Sequence, residues 1–309
     1  MPDVVQLKFI DSHAGGQPVR LVLAGGPDLG GGTMADRAKV LQDKHDGYRQ
    51  AIVSEPRGVA TMIGALLVEP HDPSCQVGII LFDRQGYPPV SFAGIAGVVV
   101  GLAHLGRLKP GLVRLDTPTG AVAAMLGAGG EVAVEGGPAH RREHDLPLYL
   151  PGVGDVNVDL AFSGSAICLI EQHDQRLERD NLPQLSDYCA RILQAVSDSG
   201  FPEVDHVALF GPGTKPGASS RNFVLGPGRA YDRSPSGFAT GAKLACLAAE
   251  GKLAAGAEWV QEGMAGSVFR GKYRKQGDRI IPTITGAAYV TGEGMLLLDP
   301  ADPFAWGGT

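Results

Sequence analysis

Two alanine- and glycine-rich segments of equal length constrain the fold more than any other part of this sequence. One runs from Ser91 to Gly106 and the other from Ser236 to Gly251, so the serine and the glycine stand equally far apart in both. Serine is a preferred N-cap residue of α-helices, and glycine is preferred just beyond their C-termini. Each segment is therefore predicted to form one helix, and the repetition indicates two related halves, each built around a central helix.

The N-terminus of each predicted helix is expected to have a functional role. Tyr87 precedes Ser91 and Tyr231 precedes Ser236, so the similarity extends upstream of both helices. A helix N-terminus presents unpaired N–H groups and the positive end of the helix dipole, which together favour anionic ligands. Two matching helices are expected to present Ser91 and Ser236 to one cleft.

Composition excludes several classes of function. The 309 residues are enough for one large or two medium domains, and 44% hydrophobic and 19% charged residues are typical of a soluble globular protein. A net charge of −6 provides no electrostatic basis for binding nucleic acid or acidic membranes. There is no apolar run of about 18 residues and no charged-then-apolar leader, so a cytoplasmic location without membrane contact is expected.

The four cysteines of the sequence are predicted to be buried structural thiols. Cys75, Cys168, Cys189 and Cys246 are scattered along the chain without the spacing of a metal site or a disulfide framework. Free cysteines of this kind usually pack as small apolar residues in a reducing compartment.

Short strand signals outnumber helix signals along the chain. This pattern favours an α/β fold of the α+β type with mixed sheets over a doubly wound nucleotide-binding fold. Outside the two repeated segments, residues 34–45 and 181–197 have helical spacing. Residues 136–147 are rich in charge, glycine and proline and are predicted to be a loop. The expected domains are residues 1–135 and 136–289, with the segment from about 290 to 309 returning to the first domain.

One motif has the spacing of a zinc site. His140, Glu143 and His144 fit the pattern H-x-x-E-H, which binds zinc when both histidines project from one face of a regular helix. Glycine and proline flank the motif closely on both sides and leave little room for a helix. The motif is therefore predicted to lie in a solvated loop, and no metal is expected.

Several short motifs resemble the proline racemase family, and the match extends over nearly the whole chain. The motifs are Asp11-Ser12-His13, Glu55-Pro56-Arg57-Gly58, Gly86-Tyr87, Asp205-His206, Arg221-Asn222-Phe223-Val224 and Asp232-Arg233-Ser234-Pro235. Three others are most similar to the hydroxyproline 2-epimerase branch: Trp259-Val260-Gln261-Glu262, Gly266-Ser267-Val268-Phe269 and Asp299-Pro300-Ala301-Asp302-Pro303-Phe304.

The resemblance implies a fold and a reaction. The fold would be two similar domains of the diaminopimelate-epimerase type, with the substrate site in the cleft between them. The reaction would be isomerisation of a proline-like imino acid by proton transfer at Cα without cofactor or metal, and a homodimer is one expectation. In the family, two cysteines at the starts of the central helices exchange this proton from opposite faces. A helix N-terminus lowers the pKa of a thiol from about 8.5, which makes a thiolate available near neutral pH.

This sequence departs from the family at both cysteines. Ser91 and Ser236 occupy the expected catalytic positions, and Ala93 stands where the family has a histidine. Phe238 and Ala239 replace a threonine and a glycine, whereas Asp232 is retained. The substrate-binding residues implied by the resemblance are Asp232, Gly237, Phe238, Ala239, Thr240, Phe92, Ala93 and His13.

Because serine stands at both expected catalytic positions, several activities remain possible. The pKa of an unassisted serine hydroxyl is too high for the alkoxide to form in useful amounts. The serine therefore cannot act alone as the base that removes a Cα proton. One hypothesis is a family enzyme that recruits Asp232 or His13 as its base and reacts slowly. The others are a non-catalytic imino- or amino-acid-binding protein, a partner subunit of an active paralogue, and a 3-hydroxyproline dehydratase-like enzyme. The last resembles a branch with serine or threonine at the first position, but that branch retains the second cysteine.

Overall fold

The computed structural model describes residues 3–88 and 90–308. Within them the chain forms four α-helices: α1 (Met34–Val53), α2 (Phe92–His104), α3 (Leu182–Asp198) and α4 (Gly237–Ala249). The strands are β1 (Val5–Ala14), β2 (Gln17–Ala24), β3 (Ile63–Val68), β4 (Val77–Phe82), β5 (Gly111–Thr117), β6 (Gly120–Leu126), β7 (Glu131–Glu135), β8 (His140–Leu150), β9 (Gly154–Phe162), β10 (Ala166–Ile170), β11 (His206–Gly211), β12 (Ser220–Leu225), β13 (Trp259–Gly263), β14 (Val268–Gln276) and β15 (Arg279–Leu298).

The chain divides into two structural units. Unit 1 contains the residues up to Val134 and those from Ala287 onward, and unit 2 runs from Glu135 to Gly286. Strand β15 crosses this boundary. Its first part pairs with β14 in unit 2, and its second part pairs with β1 in unit 1, from Val5 opposite Leu298 to Ala14 opposite Ala288.

The two units repeat one order of strands and helices. In unit 1, α1 connects β2 to its parallel neighbour β3, and α2 connects β4 to its parallel neighbour β5. In unit 2, α3 connects β10 to its parallel neighbour β11, and α4 connects β12 to its parallel neighbour β13. An antiparallel pair separates the two parallel pairs in each unit. The predicted pair of related halves, each with its own central helix, is therefore confirmed.

Both central helices are buried because they are apolar on almost every side. In α2, the side chains of Ile95, Val98 and Leu102 have no exposed surface. The face of α2 that meets the sheet needs a glycine, because a Cβ atom on Gly97 would lie 2.7 Å from Ser12 Oγ and from Val19 Cβ. A helix with no polar face is stable only when other elements cover it, so α2 fixes the centre of its unit.

The ends of α2 and α4 follow the predicted pattern. Ser91 and Ser236 are the N-cap residues, and each hydroxyl accepts a hydrogen bond from the backbone N–H three residues later. Gly106 and Gly251 have φ angles of 70° and 67° just beyond the helix C-termini. This left-handed conformation favours glycine, which explains why the repeated segments end where they do.

One local prediction was wrong. Most of residues 136–147 do not form a loop, because His140–Leu150 is strand β8. This strand is last in the strand order and pairs with β9, and an edge strand tolerates both exposed charges and a proline.

The four cysteines are all buried, as predicted. Among the residues that the structure describes, none of the helices combines the length and the apolar character needed to cross a membrane.

The packing of α2 can be tested at Gly97. Gly97→Ala is expected to lower the free energy of unfolding by about 1–2 kcal/mol, because overpacking a core costs about 1–3 kcal/mol and exceeds the gain in helix propensity. Thermal unfolding should show a midpoint a few degrees lower. Gly129→Ala is the matched control, since a Cβ atom there has no neighbour within 4 Å. Equal midpoints for the two variants would contradict the close contact between α2 and the sheet.

Candidate functional site

In unit 1, the N-terminus of α2 is formed by Ser91 and two buried residues. Ser91 has an ordinary extended backbone, with φ −96° and ψ 148°, and its Oγ accepts a hydrogen bond from Gly94 N at 3.1 Å. Phe92 and Ala93 follow in the first turn, and each is 6% exposed. The hydroxyl is therefore already engaged by its own helix.

An ion pair anchors the segment that leads to Ser91. Tyr87 donates its hydroxyl hydrogen to Asp46 Oδ1 at 3.0 Å, and Arg49 binds both oxygens of the same carboxylate. The hydrogen bonds from Arg49 hold the pKa of Asp46 below its usual value, whereas burial raises the pKa of Tyr87. Asp46 therefore stays ionised and Tyr87 stays protonated, which maintains their hydrogen bond near neutral pH.

In unit 2, Ser236 caps α4 with a strained backbone. Its φ of 59° and ψ of 121° lie where residues with a side chain are rarely found, and the residue is only 2% exposed. The Ser236 carbonyl accepts from Thr240 Oγ1 at 2.7 Å, and Ser236 N donates to Ser234 Oγ at 3.1 Å. Strain of this kind costs about 1–3 kcal/mol and persists only where surrounding contacts impose it.

Asn222 supplies one of those contacts from β12. Its Nδ2 donates to Pro235 O at 2.8 Å, and the residue is 1% exposed. Gly263 at the end of β13 supports the same segment, because a Cβ atom there would lie 2.8 Å from Pro235 N. Two neighbouring strands therefore hold the turn that carries Ser236.

Asp232 is the ionisable group in direct contact with this turn. It accepts hydrogen bonds from Ser234 N at 2.9 Å and Ser234 Oγ at 2.8 Å, and interaction with the nearby Ser236 side chain also favours its charged form. Burial raises the pKa of the Asp232 carboxyl, and these hydrogen bonds only partly offset the effect. A carboxylate with a raised pKa is a stronger base than a solvated one.

A serine, an aspartate and a histidine form a second polar group in unit 2. Ser165 Oγ donates to Asp205 Oδ1 at 2.7 Å, and His206 Nδ1 lies 2.5 Å from the same oxygen. Burial raises the pKa of the Asp205 carboxyl, but the hydrogen bond from His206 lowers it, and the resulting pKa is below its usual value. The His206 ring meets the ring of Phe238 edge-on, with centroids 6.0 Å apart. Ser165 was not predicted, and the resemblance was the only signal for Asp205 and His206.

Phe238 fills the space between the start of α4 and the turn before β10. A Cβ atom at position 164 would lie 2.8 Å from the Phe238 ring, so no residue larger than glycine fits there unless the ring moves. Ala239 and Thr240 are fully buried behind it. The N–H groups of Gly237 and Phe238 have no hydrogen-bond acceptor among the described residues, as expected for the first turn of a helix.

His13 lies in β1, where its polar contact is local. Its Nδ1 accepts from Gly16 N at 3.2 Å, and its ring lies 5.5 Å from that of Tyr289. His13 therefore lies in unit 1 and bonds to the turn that follows its own strand.

The predicted site residues thus fall into two groups. Unit 1 holds Ser91, Phe92 and Ala93 at α2, with His13 on β1. Unit 2 holds the larger group around the start of α4: Asp232, Ser236, Gly237, Phe238, Ala239 and Thr240.

No thiol lies at either helix N-terminus. The four cysteines of the sequence lie before β4 and within β10, α3 and the second half of α4. Burial raises the pKa of all four thiols, which is the opposite of the shift that a thiolate base requires.

Comparison with known proteins identifies the family. Residues 9–309 match the family described as proline racemase. The chain belongs to the proline racemase family. A 4-hydroxyproline 2-epimerase from Pseudomonas aeruginosa is 46% identical to it, and the alignment covers 98% of each chain.

Solved structures confirm the fold of this proline racemase family member. A hydroxyproline epimerase from Agrobacterium vitis, solved with trans-4-hydroxy-L-proline bound, has a TM-score of 0.87 at 24% identity and covers 99% of this chain and 95% of its own. A phenazine biosynthesis protein from Bacillus anthracis has a TM-score of 0.67 at 12% identity, with coverages of 95% and 99%. The predicted diaminopimelate-epimerase-type α+β fold is therefore confirmed.

The backbone strain at Ser236 can be measured by substitution. Ser236→Gly should be more stable than Ser236→Ala by about 2 kcal/mol, because glycine adopts a positive φ without strain and also replaces serine well at an N-cap. Ser91→Gly and Ser91→Ala are the matched pair at an unstrained cap, and there the difference should be below about 1 kcal/mol. Denaturant unfolding of the four variants gives both differences. Equal differences at the two caps would show that Ser236 carries no strain.

The pKa directions of Asp232 and Asp205 predict opposite effects of pH. Because the folded state raises the pKa of Asp232, its ionisation destabilises the fold as pH rises through the folded pKa. Asp232→Asn should therefore raise the unfolding midpoint near pH 7, with the gain disappearing below about pH 4. The pKa of Asp205 is lowered in the folded state, so Asp205→Asn should lower the midpoint near pH 7, and its effect should also vanish at low pH. Effects of the same sign in thermal unfolding would contradict these assignments.

Proposed function

We propose that this protein binds a proline-like imino acid at the N-terminal end of α4, with two-thiol proton transfer weak or absent. The observation that carries the proposal is that a serine caps each central helix in a chain of the proline racemase family. The 4-hydroxyproline 2-epimerase from P. aeruginosa is 46% identical over nearly the full length, which supports the substrate class.

The polar groups at the start of α4 suit both charges of an imino acid. At neutral pH such a ligand carries a carboxylate and a secondary ammonium group. The N–H groups of Gly237 and Phe238 can donate to the carboxylate, which the positive end of the helix dipole also attracts. Asp232 can accept a hydrogen bond from the ammonium group.

Serine cannot take over the role of the thiols unaided. Interactions at a helix N-terminus contribute at most about 2 kcal/mol, which corresponds to about 1.5 pKa units. That shift brings a thiol close to neutral pH but leaves an alcohol almost entirely protonated. Ser236 Oγ accepts a hydrogen bond from Ala239 N at 3.4 Å and lies near the Asp232 carboxylate, whose negative charge disfavours an alkoxide.

Asp232 is the base that the geometry supports best for any residual chemistry. Its pKa is raised by burial, and it contacts the residue at the expected catalytic position. Racemisation requires a base on one face of Cα and an acid on the other. A single carboxylate base would remove and return the proton on the same face. Residual activity is therefore expected to appear as slow hydrogen exchange with retained configuration.

Calorimetric titration tests the binding proposal. Trans-4-hydroxy-L-proline and L-proline are expected to bind, whereas glycine, which lacks the ring, should bind at least ten-fold more weakly. Asp232→Ala should abolish imino-acid binding, and Asp205→Ala is a control charge deletion in the same unit. Absence of binding by both imino acids at millimolar concentration would contradict the proposed substrate class.

Exchange in deuterated water tests the chemistry separately. Incubation with L-proline or trans-4-hydroxy-L-proline should give little deuterium at Cα by NMR, and chiral chromatography should detect no epimer. Slow deuteration without epimer, lost in Asp232→Ala, would agree with the single-base mechanism. Rapid epimer formation that is lost in Ser236→Ala would show that serine supports the reaction of the family, and would overturn the proposed loss of activity.

A further inference from the structure

A polar cavity of about 170 Å³ lies at the C-terminal end of α4, within unit 2. Residues of β8, β9 and β10 line it, together with the last turns of α4 and Lys252. Ser236 caps the opposite end of the same helix, so the cavity is separate from the group of residues around Asp232. The proposed function uses none of its lining residues.

Three potential metal ligands converge at this cavity. One ligand atom from each of His144, Asp159 and Glu250 lies within 4.8 Å of the others. Ligand atoms around a tetrahedral zinc ion are about 3.5 Å apart, given bond lengths of about 2.0–2.3 Å. The imidazole of His144 is mostly exposed and can rotate, so the three groups can close on one ion without movement of the strands.

Cys246 lines the cavity but is not one of the three converging ligands. It precedes Glu250 by about one turn at the end of α4 and is only 2% exposed. The ligands available to an ion are therefore one imidazole and two carboxylates, which are compatible with a divalent transition metal.

The electrostatic environment of the cavity favours a cation. Four carboxylates line it, and the negative end of the α4 dipole points towards it. The carboxylates belong to Asp145, Asp159, Glu171 and Glu250. Lysine side chains pair with two of them: Lys252 Nζ lies 2.7 Å from Glu250 Oε2, and Lys243 forms an ion pair with Glu171.

Arg141 marks where the ion would bind. Its Nη1 lies 3.0 Å from His144 Nδ1, 3.2 Å from Glu250 Oε1 and 3.6 Å from Asp159 Oδ2. One positively charged nitrogen therefore stands among all three ligand atoms. A divalent ion would have to displace this guanidinium, so Arg141 competes with the metal for the same position.

We propose that His144, Asp159 and Glu250 bind a divalent transition-metal ion such as Zn²⁺, in competition with Arg141. The ion would join the end of α4 to β8 and β9 and so stabilise unit 2. This set shares only His144 with the H-x-x-E-H motif. His140, the other histidine of the motif, instead packs against Phe162, with ring centroids 5.9 Å apart.

Titration of the metal-free full-length protein with Co²⁺ and Zn²⁺ tests the proposal. Co²⁺ should bind with a stoichiometry of one and change its visible absorption spectrum on binding. His144→Ala and Glu250→Gln should each weaken binding by about ten-fold or more. His140→Ala is the matched control and should bind as the unmodified protein does. Failure to bind either ion, or equal loss in the two histidine variants, would overturn the proposal.

Removal of the competing cation provides a second test. Arg141→Met should bind Zn²⁺ several-fold more tightly than the unmodified protein, because the ion no longer has to displace a guanidinium. Zn²⁺ should also raise the thermal unfolding midpoint of the unmodified protein but not that of Glu250→Gln, since a ligand stabilises only the state that binds it. If Arg141→Met unfolds, Lys252→Ala can be used instead. It removes a neighbouring positive charge and should also tighten the binding of Zn²⁺. Weaker binding in a folded Arg141→Met or Lys252→Ala variant would contradict the competition.

Discussion

Burial of the two apolar central helices is the constraint on which the rest of the structure depends. Because α2 and α4 have hardly any polar surface, the strands of each unit must surround them. Burial of a helix leaves the N–H groups of its first turn in need of acceptors, and a serine hydroxyl supplies one at each N-terminus.

The sequence predicted the repeated architecture well because the repeat depends on local signals. Cap serines, terminal glycines and apolar helices act over a few residues and can be recognised without knowledge of the fold. The strand His140–Leu150 was missed because its charges and Pro147 are tolerated only at a sheet edge, and edge position is a property of the whole sheet. For the same reason, the contact of Ser165 with Asp205, and that of Asn222 with Pro235, had no sequence signal, since each joins separate elements.

The two caps are alike in sequence but differ in conformation. Ser91 has relaxed backbone angles and a hydroxyl bonded to its own helix, whereas Ser236 is strained and also contacts Asp232. Contacts from Asn222 and Gly263 hold the strained turn that carries Ser236. The surroundings of the two cap serines therefore differ, although their sequence contexts match.

The course of strand β15 has a consequence for the order in which the chain folds during translation. Unit 2 is one continuous segment, so all of its strands are available once Gly286 has emerged from the ribosome. Strand β1 pairs with β2 and with β15, so unit 1 lacks the second of these partners until residues up to Leu298 are made, and Arg57 then binds the backbone of Phe304 and Ala305. The amino-terminal unit is therefore the last to be completed, and the edge of β1 stays open to chaperones or to misassociation for most of synthesis.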